Sequence, residues 1–278
     1  MIEKAWRLKT YEVLPSTSDL CRSLAEAGEP DGLAILARRQ TNGRGSRGRE
    51  WISPPGNLNL SVLIRPSETL VAAAQWSLLA AVALAEALSF PPPRAGGAGE
   101  GVPDTLGTLQ QSSRVPNSSP VPSRKGSGDA GITLKWPNDL LLDNRKIAGI
   151  LLDSADNGQG GLAWLVIGMG VNLAAAPVVA DRDVGALNST EPPEQIAQRV
   201  LARLTAWRKT RHLEGFAPIR AAWLARAQDI GAPISLRIGT EQRGGQFEGL
   251  ADDGSLLLRT GGRVHAFTTG EVMLGGNV

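Results

Sequence analysis

The stretch 70-LVAAAQWSLLAAVALAEALSF-90 is apolar for long enough to cross a bilayer, so a chain containing it must either span a membrane or bury it in a core. Gln75 and Glu86 interrupt the run and alanine dominates it, which favours a buried core helix. The N-terminus, 1-MIEKAWRLKT-10, carries charges where a secretion signal needs an apolar stretch. Neither a membrane span nor export is expected, and the chain is read as cytoplasmic.

Immediately after that run the composition changes. From Pro91 to Gly131 the chain is proline, glycine and serine with almost no large apolar residue, too little to offset the entropy of ordering. It reads as a surface insertion between a long helix and a strand. Strand-like pieces follow at 132-ITLKW-136, 139-DLLLD-143, 146-KIAGILLD-153 and 162-LAWLVIGMGVNL-173, and 58-LNLSVLIR-65 alternates as a half-buried strand does. Helical spacing returns over 194–212 and 216–229. Beyond Gly231 the pieces 233-PISLRI-238, 246-QFEGLA-251, 255-SLLLR-259 and 263-RVHAFTTGEVML-274, separated by glycine or Asp-Gly turns, suggest a small β-barrel of its own.

At 278 residues there is room for one sizeable core and a small second domain. A formal net charge of +2 argues against a nucleic-acid-binding tail. The single cysteine, Cys21, excludes an internal disulfide framework and reads as buried helix surface, and two histidines far apart in sequence make a metal cage improbable.

Chemistry concentrates in two stretches. The first, 40-QTNGRGSRGREW-51, satisfies G-x-G-x-x-G through Gly43, Gly45 and Gly48. A dinucleotide-binding unit needs a helix after such a loop, and Pro54, Pro55 and Gly56 deny one. A kinase-type loop needs V-A-I-K, H-R-D and D-F-G partners, and the sequence has none. The second, 135-KWPNDLLLDNRKIAGIL-151, bends at Pro137 and turns at Asp143-Asn144, which places Asp139 and Lys146 on one face with Lys135 near. A nucleoside triphosphate requires cations at its phosphates, a carboxylate for Mg2+ and an amide at the base edge. Arg44, Arg47, Arg49, Lys135 and Lys146 can supply the first, Asp139 the second and Asn138 the third.

Taken in order, 16-STSD-19, 40-QTNGRGSRGREW-51, 135-KWPNDLLLDNRKIAGIL-151 and 167-IGMGVNL-173 resemble the motifs of the biotin protein ligases. The resemblance covers most of the chain outside 91–131. It implies an α/β (α+β) fold, with a mixed-sheet catalytic domain of the biotin/lipoate ligase type over residues 1–230 and an SH3-like β-barrel over residues 231–278. It also implies an ATP-dependent ligase that makes biotinyl-5′-AMP and passes biotin to a lysine of a biotin carboxyl carrier protein or domain of acetyl-CoA carboxylase. Carried over, Ser16, Thr17 and Gln40 meet the biotin ureido ring. Gly43, Arg44 and Gly45 close over biotin, and Lys146 contacts both the biotin carboxylate and the α-phosphate. Arg47, Arg49, Trp51, Lys135, Asn138 and Asn172 border the nucleotide. Arg44, Lys146 and Asp139 carry the catalysis, with ATP and Mg2+ as cofactors and Asp139 on the metal.

The chain departs from the pattern at Ser46, where the family usually has arginine, and at Ser18, where it has asparagine. Only fifteen positions precede Ser16, too few for the DNA-binding module of some members, so no DNA partner is expected. A homodimer is neither required nor barred by the sequence. Alternatives are a lipoate-type ligase, a scaffold that binds biotin without turnover, and a module whose Arg-Gly loop tracks RNA.

Overall fold

The computed structural model describes residues 5–89, 131–179 and 183–274. Gly131 apart, the expected insertion at 91–131 lies outside the described residues. In chain order the elements are β1 (Arg7–Leu14), α1 (Thr17–Glu26), β2 (Leu33–Gln40), β3 (Leu58–Ile64), α2 (Ala73–Ser89), β4 (Ile132–Lys135), β5 (Asp139–Leu142), β6 (Arg145–Asp156) and β7 (Leu162–Val171). They continue with α3 (Pro193–Glu214), α4 (Ala217–Leu224), β8 (Pro233–Ile238), β9 (Glu241–Leu250), β10 (Leu256–Thr260), β11 (Arg263–Phe267) and β12 (Glu271–Leu274).

The first seven strands form one mixed sheet in the order β1-β2-β3-β7-β6-β5-β4. The parallel pair, β1 with β2, is joined through α1, because parallel neighbours need a crossover that a tight turn cannot make. Both faces of the sheet are covered. Leu33, Ile35, Leu63 and Val166 pack with Cys21 and Ala25 of α1, whereas Ala34, Leu36, Leu60 and Val62 face the larger core built around α2. Burial on both sides explains why β2 reads as an unbroken apolar run rather than an alternation.

Helix α2 is buried from Trp76 through Ala85 and packs against α3, α4 and the sheet, as its sequence requires. Arg211 of α3 fastens that packing: its guanidinium donates to both oxygens of Glu68 at 2.8 and 2.7 Å and lies 5.0 Å from the Trp76 ring. Cys21 is fully buried, and burial, with Glu29 adding to it, pushes its thiol up to about 12. It is a core side chain.

The hairpin between β5 and β6 turns on Asp143 and Asn144, both at positive φ (50° and 62°), the geometry that a two-residue turn between twisted strands demands. The ladder shifts register between Leu140 and Leu141, where Ile147 of β6 is the extra residue. The last five strands form an antiparallel sheet in the order β11-β10-β9-β8-β12, consistent with an SH3-like fold. Sequence alternation had run 263–274 together; the structure breaks it into β11 and β12 at Thr268–Gly270, where Gly270 takes φ 152° against Leu236. Its core residues Leu236, Phe247, Leu256 and Leu258 join the same apolar cluster as α2.

Candidate active site

Local sequence shapes the 43–51 loop before any ligand is considered. Trp51 N–H donates to the Gly43 carbonyl at 2.8 Å and Gly45 N–H to the Arg49 carbonyl at 2.7 Å, folding the loop back on itself. Any side chain at Gly43 would collide with the Trp51 carbonyl, so that glycine permits close approach. The tip turns through positive φ at Arg47 (61°) and Gly48 (72°). No helix follows, as the prolines dictated.

Beneath this loop lies a cleft with one polar end. Thr17 and Ser18 from α1, Gln40 from the end of β2 and Asn59 from β3 form that end, and Arg44, Ser46, Asn138 and Lys146 stand at its mouth. Its floor is a glycine shelf. Gly149 of β6 pairs with Gly170 of β7, and the Trp51 indole rests on both, so that a Cβ on Gly170 would strike the ring. Two residues along the strand, and therefore on the same face, a Cβ on Gly168 would strike the Ser18 hydroxyl. The period-two glycines of 167-IGMG-170 are thus a clearance for the cleft.

Charge is arranged in three clasps. Arg44 donates to Asp19 at 2.9 Å and to Asp153 at 2.9 and 3.3 Å. Burial opposes its charge, but the bonds and charges of Asp153 and then Asp19 outweigh that and raise its pKa. Asp139 accepts from Lys146 at 2.5 Å and from Lys135 at 3.0 Å. Burial works against the Asp139 carboxylate, yet the two ammonium groups hold its pKa below the ordinary value. Lys146 also stands 5.7 Å from the Trp51 ring.

The third clasp joins the Arg-Gly loop to the C-terminal sheet. Glu271 of β12 accepts from Arg47 at 2.8 Å, Arg49 at 3.1 Å and Arg237 at 2.7 Å. Burial alone would raise its carboxyl, but bonds from Arg237 and Arg49, and their charges, lower it to about 2. This clasp borders a cavity of roughly 520 Å3 that Lys135, Asp139 and Lys146 also line, next to the cleft.

The expected residues therefore divide. Thr17, Gln40, Arg44, Gly45, Trp51, Asn138 and Lys146 line the cleft, while Lys135 and Asp139 line both the larger cavity beside it and a second, smaller one that Arg47 and Arg49 also line. Ser16 caps α1, its hydroxyl accepting from Asp19 N–H at 3.2 Å, and it does not line the cleft; Ser18 does. Asn172 stands one layer back, donating to the Gly185 carbonyl at 2.9 Å and so holding the segment that pairs with the Lys146 backbone. Both oxygens of Asp139 are taken by lysines, and among the described residues no three carboxylate, thiol or imidazole groups gather. These residues do not fit a magnesium cage. Asn59, Ser61, Glu271 and Arg237 were not anticipated; only the polar positions of 58-LNLSVLIR-65, recurring every second residue on an otherwise apolar strand, carried a signal.

A mixed sheet with a polar-ended cleft, Lys146 at its mouth, Lys135 in the adjoining space and a self-folded Arg-Gly loop has the parts a ligase needs to bring two anionic substrates together. Residues 10–172 match the biotin/lipoate A/B protein ligase family and residues 229–275 the biotin protein ligase C-terminal domain. The chain is 37% identical to a biotin–[acetyl-CoA-carboxylase] ligase of Paracoccus denitrificans, over 87% of this chain and 90% of that one. It is 30% identical to the bifunctional ligase/repressor BirA of Salmonella typhimurium, over 87% of this chain and 67% of that one. A solved biotin protein ligase from Aquifex aeolicus, in complex with biotin and ATP, shares the fold at a TM-score of 0.68 and 22% identity, covering 96% and 97% of the two chains. The chain belongs to the biotin/lipoate A/B protein ligase family. Its function is that of a biotin protein ligase, an ATP-dependent ligase.

Proposed function

We propose that the cleft binds biotin with its ureido ring at Thr17, Ser18 and Gln40 and its carboxylate towards Lys146, and that ATP enters beside it over Arg47, Arg49 and Lys135. The observation that carries this is the polarity of the cleft: hydroxyls and an amide at one end, and at its mouth Lys146, which Asp139 ties to Lys135 beside the cleft. ATP arrives with Mg2+ on its own phosphates, where few protein ligands are needed.

In the first half-reaction a biotin carboxylate oxygen attacks the α-phosphorus and pyrophosphate leaves. Two anions must approach, so the residues serve mainly to offset charge and fix position. Lys146 stands where the carboxylate and α-phosphate meet. Asp139, a weak base because its pKa is lowered, acts as the counter-ion that holds Lys146 and Lys135 in place. Arg44 acts through the loop: tied to Asp19 and Asp153, it fastens Gly43–Gly45 across the cleft and keeps water from the anhydride. In the second half-reaction the ε-amine of a carrier-domain lysine attacks the acyl carbon and AMP leaves. The carrier is a biotin carboxyl carrier protein or domain, met in the cytoplasm.

The test is to incubate the protein with ATP, Mg2+, biotin and an apo carrier domain. Pyrophosphate release followed by a biotinylated lysine is expected. Biotin binding with no product on any carrier would instead indicate a scaffold.

A further inference from the structure

Resting on the reading of the polar end as the ureido site, we propose that Ser61 is a positioning residue that sets which atoms of that end donate and which accept. Ser61 lies on β3 below the cleft, fully buried and outside its lining. Its hydroxyl is 2.8 Å from that of Thr17 and 3.1 Å from that of Ser18.

The direction of each proton follows from the neighbours. Gln40 Oε1 accepts from the Thr17 backbone N–H at 2.8 Å, which fixes the amide with its oxygen towards α1. The Thr17 hydroxyl is 3.1 Å from the same oxygen, and a carbonyl oxygen has no proton, so Thr17 donates. With its one hydrogen used, Thr17 accepts from Ser61; Ser61, its hydrogen used in turn, accepts from Ser18. On the other side of the amide, Gln40 Nε2 donates to Asn59 Oδ1 at 3.2 Å, and Asn59 is fixed by its own donation to the Ala37 carbonyl at 3.2 Å.

The chain Ser18 to Ser61 to Thr17 to Gln40 therefore runs one way. Ser18 has its proton turned inward and offers the cleft lone pairs, while Gln40 keeps one amide N–H. A cyclic urea presents the complement, an N–H that donates beside a C=O that accepts. Removing the Ser61 hydroxyl frees the Ser18 proton to turn into the cleft, where it opposes the ligand N–H.

Ser61→Ala should raise the biotin Kd by calorimetry, and the biotin KM, roughly five- to tenfold, with kcat at saturating biotin and the ATP KM within twofold of wild type. Ser61→Thr, which restores a hydroxyl, should return the biotin constants towards wild type. Gly168→Ala keeps the Ser61 side chain but displaces the Ser18 hydroxyl, and should raise the biotin Kd. Unchanged biotin constants in a folded Ser61→Ala, or a fall in kcat and a rise in ATP KM together, would overturn the proposal. If Ser61→Ala does not fold, Gly168→Ala decides, and unchanged biotin constants there overturn it. A wild-type chain that binds no biotin would overturn the reading of the cleft itself, and Ser61's role with it.

Discussion

At the scale of single residues, Ser16 and Lys146 separate support from chemistry. Ser16 caps α1, so Ser16→Ala should cost about 1 kcal/mol of stability in chemical denaturation and leave the biotin Kd unchanged. A large loss of biotin affinity with stability intact would make Ser16 a ligand contact after all. Lys146→Ala should lower the rate of adenylate formation at least about 100-fold while its circular dichroism stays native, since the offset to two approaching anions is gone. Ser46 stands where the family usually has arginine, and its hydroxyl is engaged by Arg49 at 3.1 Å. Adenylate should therefore leave the wild-type chain readily, and Ser46→Arg should slow its release in a filter-retention assay; equal release from both proteins would show that Arg47 or Arg49 already does that work.

At the scale of elements, the glycine shelf on β6 and β7 fixes the height of Trp51. Gly170→Ala should displace the indole, raising the biotin KM and altering the Trp51 fluorescence isolated in a single-tryptophan background, without unfolding the sheet. The shelf also shows what the sequence could disclose. An apolar helix interrupted by Gln75 and Glu86 favoured a core helix, prolines after the Arg-Gly loop forbade a helix there, and Asp143-Asn144 announced the turn that brings Asp139 to Lys146. These are local rules. Strand β1 escaped notice because it is an edge strand whose Lys9, Thr10, Glu12 and Val13 are exposed, so its evidence is the backbone register with β2 and not a pattern of burial. Ser61 escaped because a hydroxyl within an apolar strand looks like any tolerated small residue until α1 is laid across it.

At the scale of the whole molecule, the Arg-Gly loop and the C-terminal sheet meet at Glu271, far from Arg47 and Arg49 in sequence, and no local rule pairs them. The Glu271 carboxyl is lowered in the folded chain, so its contribution is fully present above the ordinary glutamate value of about 4.5 and is lost as pH falls towards about 2. Melting curves of wild type and Glu271→Gln should differ most above pH about 5 and converge towards pH about 2; a gap that widens in acid would contradict the clasp. The central claim is that this cleft turns biotin and ATP into an adenylate, and its most direct measurement is pyrophosphate release with each candidate acid in the absence of a carrier domain. Biotin should give pyrophosphate and biotinyl-AMP, whereas lipoate, which has no ureido ring, should give neither above background. Equal or faster release with lipoate, or none with biotin, would contradict the account.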